Sequence, residues 1–402
     1  MPAARDATRA ALRRPARPRA APVAPGRAAA RHALLVVLAA WGLSRVVVGL
    51  AALAGSALLG APERGVARDV PDALALVGGW DTVWYLEIAA RGYTADPGAV
   101  GDVYTDLAFF PLVPVIAAAA GVLGLNPFLA ALAVSNLAFL AALAGLHALV
   151  AGRAGRVAAD RAVWVLALLP ASYAASLAYG EGLVLALAVL SALAAARGRW
   201  LLAAVLAAPA PLARATGLLV PLLAALRARP AVGTVRALAV TLPGLAALAA
   251  FLGWLWVTRG SPLLPFRAQQ AWEGRPVVGF VTAAPEWAGG LRDLVTLRTT
   301  GAAAGAARDI AFGALYVALL VRLWRRDGGL RSPWVVYSLL CVAIPLSTFG
   351  PTAIARYGLL AFPLAWTLAE WIAEHPRLRR PLLVAAPVVT VLLVACLRVR
   401  SP

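Results

Sequence analysis

The sequence predicts an all-α polytopic membrane protein, and three observations lead there. Mean hydropathy is +0.81, with 62% of residues apolar. Only 14% are charged, where a soluble domain carries about a quarter. Apolar blocks of about twenty residues recur along the chain, each long enough to cross a bilayer core as a helix. The blocks are continuous and rich in Ala, Leu and Val. They lack the period-two alternation of a barrel strand, so helices satisfy the backbone in lipid. The expectation is one bundle of about eleven spans rather than a string of soluble domains.

Charge orients the bundle. The net charge is +19, and all 37 basic residues are Arg. With no Lys and abundant Ala, Gly and Pro, the sequence suggests a GC-rich bacterial genome. The arginines sit at the ends of apolar blocks, the positive-inside pattern, so the basic balance is not read as nucleic-acid binding. The two cysteines, Cys341 and Cys396, both fall inside expected spans and offer neither a disulfide framework nor zinc spacing. His32, His147 and His375 are isolated in sequence. No metal motif is visible, and no cofactor is identified.

Residues 1–31 are rich in Arg, Pro and Ala and are expected to form a disordered cytoplasmic tail. From Ala33 to about Gly60 the chain reads as an uncleaved first span, too long for the apolar region of a signal peptide. Arg45 lies inside it and needs a bundle interior or polar cavity. One transmembrane domain is expected over 32–397, with 398–402 as a tail. Residues 61–106 form a first extracytoplasmic loop where the charge sign inverts. Glu63, Asp69, Asp72, Asp81, Glu87, Asp96, Asp102 and Asp106 are eight of the chain's 18 acids, opposed only by Arg64, Arg68 and Arg91.

The stretch 107–150 is broken at Asn126-Pro127. Arg153, Arg156 and Arg161 follow and read as cytoplasmic, so an odd number of crossings must separate them from the extracytoplasmic loop at 61–106. That makes 107–124 a re-entrant or juxtamembrane helix and 126–150 the second span. Two short spans over 162–196 meet outside near Tyr179-Gly180-Glu181-Gly182. Pro209 and Pro211 break 200–226, with Arg214 in mid-segment. A span at 237–257 leads to a second extracytoplasmic loop, 258–307. Further spans are expected at 308–323, 333–349, 358–374 and 381–397, with inner turns at Arg322, Arg325, Arg326 and Arg331 and at Arg377, Arg379 and Arg380.

The most specific segment runs from Gly79 to Tyr93. It holds Trp80, Trp84, Tyr85 and Tyr93 beside Asp81 and Glu87. Trp80, Trp84 and Ile88 stand at i, i+4 and i+8, one face of an expected interfacial helix. Asp81 would begin it, where the dipole favours an ionised carboxylate. Read alone, Asp81 is equally an N-cap and the aromatics a membrane belt. A second aromatic and acidic cluster, Tyr104 to Pro111, enters the membrane nearby. Together they suggest a site where a polar substrate meets a lipid.

The run Trp-Asp-x-x-Trp-Tyr-x-x-Ile-Ala-x-x-Gly-Tyr, followed by Phe-Phe-Pro-Leu-x-Pro, resembles the PIG-V family, the GPI mannosyltransferase 2-like proteins of GT-C glycosyltransferase fold. Pro170 to Glu181, Arg214-Ala215-Thr216-Gly217, Pro265 to Trp272 and Arg356-Tyr357 through Phe362-Pro363 resemble its later motifs, across residues 35–370. Gly182 departs from the pattern, since a small hydroxyl residue commonly follows the glutamate.

The resemblance implies transfer of a sugar, typically mannose, from a polyprenyl-phosphate donor to an extracytoplasmic acceptor: a glycolipid, a glycan or a protein. The organism implied is bacterial, the membrane the cytoplasmic one, and the N-terminus cytoplasmic. Asp81 is the expected general base, with inversion at the anomeric carbon. Arg214 and Arg356 would bind the donor phosphate. Trp80, Trp84, Tyr85, Tyr93, Glu181, Gln270, Trp272 and Tyr357 are the candidate substrate contacts. Both arginines equally suit structural ion pairs with Glu181 or Asp81. The other function class is a transporter or flippase of a polar lipid, which places ionisable groups at the midplane and often shows repeat symmetry.

Overall fold

The computed structural model describes residues 26–59, 71–273, 288, 292, 300–348 and 353–395. Among these residues the structure is all-helical, with one isolated bridge between Val100 and Val103 and no strand. The first helix, α1, spans Arg27–Leu59, so the last residues of the Arg-rich tail are helical rather than disordered. Residues 1–25 and 396–402, with Cys396, lie outside the described residues.

The described part of the segment expected as a first extracytoplasmic loop carries short helices, α2 (Asp72–Val77) and α3 (Asp81–Arg91), and a 3-10 turn at Asp106–Ala108. Next come α4 (Leu112–Val122) and α5 (Pro127–Ala154). The Asn126-Pro127 break is a helix start. Asn126 Oδ1 accepts from the Leu129 amide at 3.1 Å, and Pro127 opens the first turn, where its missing N–H costs nothing. With 11 residues α4 is about 16 Å long, half a bilayer core. At that length α4 is too short to cross a bilayer core alone.

The chain continues through α6 (Arg156–Leu168), a 3-10 segment at Pro170–Ser176, α7 (Glu181–Ala196), α8 (Trp200–Ala207) and α9 (Ala210–Ala213). Then follow α10 (Leu219–Ala239), kinked at Gly233, α11 (Leu242–Arg259) and α12 (Leu264–Glu273). The last group is α13 (Thr300–Asp327), α14 (Pro333–Thr348), α15 (Ile354–Gly358), α16 (Pro363–Glu374) and α17 (Pro376–Ala395).

By length and apolarity, three stretches among the described residues can cross a membrane: Arg27–Leu58, Pro127–Ala154 and Ala215–Arg259. A fourth qualifies if the pair Arg156–Leu168 and Pro170–Ser176, bent by 73°, is one span. This measure does not reach the expected eleven. Hydropathy reads continuous apolar blocks, but Pro170, Pro209 and Pro211 cut those blocks into helices too short to cross alone.

Two apolar cores form. The larger lies among α5, α6, α7, α10, α14 and α16, and α5 packs most extensively on α7. That contact is close because small residues face it. A Cβ on Gly145 would lie 2.9 Å from Val189, and one on Gly182 would lie 2.6 Å from the Ser135 carbonyl oxygen. The second core joins the first loop to α11 and α12 through Tyr85, Ile88, Tyr93, Leu107, Phe110, Tyr179 and Phe251. Arg45 lies half-buried among the helices. It donates to Asn136 Oδ1 at 2.8 Å and to the Ala175 carbonyl at 3.1 Å, and its guanidinium lies over the Phe139 ring.

Candidate functional site

At the junction of the two cores, four charged side chains from four segments converge. Asp81 is the first residue of α3, Glu181 the first of α7, Arg214 sits between α9 and the next turn, and Arg356 lies in α15. Arg356 NH1 donates to Asp81 Oδ2 at 2.6 Å. Arg356 Nε stands 3.2 Å from Glu181 Oε1, and Arg214 NH1 pairs with the same oxygen. Glu181 thus bridges the two guanidiniums, and Asp81 takes the far side of Arg356. Two carboxylates and two guanidiniums make the group formally neutral, which is how buried charge is tolerated.

Local sequence explains the convergence. Pro209 and Pro211 end the preceding helix, and Arg214 is extended, with φ −167° and ψ 160°. Gly217 lets the turn close, since a Cβ there would lie 1.9 Å from the Ala210 carbonyl oxygen. Gly180 lets the Arg214 segment pass, since its Cβ would lie 3.0 Å from the Ala213 carbonyl oxygen. Gly358 admits the Tyr316 ring, 2.2 Å from where its Cβ would be. Tyr316 in turn donates to the Ala355 carbonyl at 2.9 Å and fixes α15 on α13.

The backbone is strained at both ends of the Asp81–Arg356 pair. Among the described residues, two non-glycine residues have positive φ, Trp80 and Ala353, each at 57°. Trp80 immediately precedes Asp81, and Ala353 opens the helix that carries Arg356. Such conformations cost about 1–3 kcal/mol each and persist where surroundings over-determine them.

The sequence-predicted residues divide. Glu181, Asp81, Arg214 and Arg356 meet, and Tyr357 joins them, its ring 4.8 Å from the Arg214 guanidinium and 5.5 Å from that of Arg356. Tyr85 is buried beside the group; burial, then the Asp81 charge, pushes its phenol well above the ordinary range. Trp80 corrects the helical-face expectation. It lies before the helix with non-helical angles, so Tyr85 and Ile88, with Thr82, form the buried face of α3. Asp81 is not the N-cap: Trp80 holds that position and Asp81 is the first helical residue. Trp84 stacks on Phe109 at 5.7 Å, packing inside the protein. Tyr93 is tied elsewhere, donating to the Phe109 carbonyl at 2.8 Å and leaning on Phe251 and Trp254. Gln270 faces the Gly101 turn, while its neighbour Gln269 donates to the Ala108 carbonyl at 2.8 Å. The Trp272 side chain lies outside the described residues. Glu87 is exposed.

Several groups were not legible beforehand. Tyr179 lies under the Arg356 guanidinium at 5.4 Å. Arg308 pairs with Asp309 at 2.8 Å and lies near Arg356 and Tyr173. Asp106 is a structural carboxylate, accepting from the Thr94 amide at 2.6 Å and from the Ala95 amide at 3.3 Å. His32 and His147, isolated in sequence, meet in space across Asp160, whose two carboxylate oxygens each take one Nε2, at 2.8 and 2.9 Å. Among the described residues no group of three or more His, Cys, Asp or Glu side chains is placed to hold a metal ion.

No protein-family model matches the sequence, and comparison with curated proteins finds no match either.

Proposed function

We propose that the chain is an integral-membrane glycosyltransferase that moves a sugar, mannose by resemblance, from a polyprenyl-phosphate donor to an extracytoplasmic acceptor. The observation that carries this reading is the meeting of Asp81 with Arg214 and Arg356 around Glu181. The residues named from the PIG-V resemblance for base and phosphate roles are distant in sequence and adjacent in space. GT-C fold type and a span count of about eleven belong to the same proposal.

The chemistry is an inverting displacement. The acceptor oxygen forms its bond to the anomeric carbon as its proton passes to the Asp81 carboxylate, and the bond from that carbon to the donor phosphate oxygen breaks. Polyprenyl phosphate leaves with one more negative charge, while Asp81 loses one. The site's net charge is therefore unchanged, but it moves. Arg356, already bonded to Asp81, can follow that charge to the phosphate, and Arg214 adds a second donor. Glu181 holds both guanidiniums. The Asp81 side chain is 16% exposed against 0% for Glu181, so Asp81 is the carboxylate open to an acceptor.

A second reading, a transporter or flippase of a polar lipid, is favoured by the broken helices around the cluster, since transporters place ionisable sites at such breaks. One experiment separates them. Membranes carrying wild type or Asp81→Asn receive radiolabelled polyprenyl-phosphate mannose and an envelope-lipid extract. Label transferred by wild type and not by the variant supports the enzyme. Donor that crosses the membrane untransferred, with either protein, supports the transporter.

A further inference from the structure

A second feature lies at the other end of α13 and is independent of the sugar-transfer reading. Arg308 stands near the carboxylate–arginine group, and Trp324 follows 16 positions later on the same helix. At 1.5 Å per residue the two are about 24 Å apart, on the scale of a bilayer core. The outer face of α13 between them is apolar and exposed. Val317, Val321 and Trp324, at i, i+4 and i+7, are 45%, 44% and 42% exposed, which makes one continuous stripe.

The stripe ends at an open groove of about 620 Å³ in the α13–α14 turn. Trp324, Arg325, Gly328, Gly329, Leu330 and Arg331 line it. Gly329 has positive φ, and its backbone lies against one face of the Trp324 indole, where a Cβ would come within 3.3 Å of the ring. The turn therefore fixes the indole at the groove mouth, beside exposed Leu330.

The arginines of this end divide in two. Arg153 pairs with Asp327, Arg322 with Glu374, and Arg326 with Glu370 and Glu374. Arg325 and Arg331 are exposed and form no ion pair among the described residues. The acids nearby are committed to the other arginines, and the two uncommitted ones face a single groove. Its wall is apolar on the side continuous with the stripe.

We infer that this groove binds the headgroup of an anionic phospholipid. Arg325 and Arg331 take the phosphate, Trp324 and Leu330 the glycerol region, and the acyl chains lie along Val317 and Val321. A tryptophan at headgroup depth flanked by arginines is the pattern of a membrane interface, and each such arginine adds attraction to an anionic lipid. Free phosphate is the poorer occupant. Two solvated guanidiniums hold it weakly, and it leaves the stripe uncovered.

The test uses the full chain purified in detergent, with phosphatidylglycerol and phosphatidylcholine of identical acyl chains added at equal concentration. Native mass spectrometry reads the ratio of the two lipids retained. Wild type retains phosphatidylglycerol preferentially. R325Q/R331Q lowers the ratio by about thirtyfold, the scale of two interfacial charges. R379Q/R380Q, which removes two arginines outside the groove, leaves it unchanged. W324A lowers retention of both lipids alike by weakening the contact with the glycerol region that they share. Inorganic phosphate at 10 mM (about a hundredfold over the lipid) displaces neither. The inference is overturned by an unchanged ratio in R325Q/R331Q, by an equal fall in R379Q/R380Q, or by displacement of phosphatidylglycerol by phosphate.

Discussion

Glu181→Gln removes the centre of the carboxylate–arginine group. In wild type its fully buried carboxylate serves Arg214 and Arg356 together. After the substitution, two buried guanidiniums share the single carboxylate of Asp81, and the group carries one uncompensated positive charge. Arg356 keeps its 2.6 Å bond to Asp81, so the loss falls on Arg214, whose side chain is 11% exposed. Breaking one buried pair costs about 3–5 kcal/mol. Arg214→Gln alone leaves Glu181 with Arg356 and one excess negative charge, at a similar cost. The double variant Glu181→Gln/Arg214→Gln is neutral again. It should cost no more than the larger single change, a coupling of about 3 kcal/mol. The assay is unfolding by titrated denaturing detergent in mixed micelles, followed by tryptophan fluorescence, for wild type, both singles and the double. Additive costs, within about 0.5 kcal/mol, would refute the shared-carboxylate arrangement.

Other outcomes follow from single contacts. Gly182→Ala should destabilise by about 1–3 kcal/mol by pressing a methyl on the Ser135 carbonyl; Ser135→Ala should not rescue it, because the clash is with the main chain. Ala353→Gly should be neutral or stabilising by up to about 1 kcal/mol, since it relieves positive φ, while Ala355→Gly in the helix beyond should cost about 1 kcal/mol; equal effects would deny the strain. Asp106→Asn should speed hydrogen exchange at the Thr94 and Ala95 amides, at a cost of about 2 kcal/mol. Gly98→Cys, in the exposed part of the first loop, should react with an impermeant thiol reagent on intact cells; labelling only after lysis would reverse the orientation.

Much of the site was legible because its chemistry is local in sequence. Asp81 stood out as an acid among aromatics, Arg214 as a charge in an apolar block beside two prolines, and Arg356 through a motif. Their partnership was not legible. Arg356 and Asp81 are 275 positions apart, and only packing makes them neighbours. The departure at Gly182 also has a spatial cause: the Ser135 hydroxyl and carbonyl occupy the space a side chain would need. Periodicity misplaced Trp80 because it assumes helical angles, and φ at that residue is 57°. The loop acids looked alike in sequence, yet Asp106 turns inward to hold backbone amides while Glu87 is exposed. The breaks at Asn126-Pro127 and at Pro209 and Pro211 were legible, but hydropathy alone did not show that the pieces between prolines are too short to cross a membrane. The His32–Asp160–His147 contact joins three segments and left no trace in spacing.

The central claim is that Asp81 takes the acceptor's proton during transfer. The direct measurement compares donor binding and single-turnover sugar transfer on the same purified protein, wild type and Asp81→Asn. The account predicts donor affinity within about threefold of wild type and transfer slower by about 10²–10⁴-fold, the span of general-base catalysis. Transfer at the wild-type rate, or loss of transfer fully matched by loss of donor binding, would contradict it.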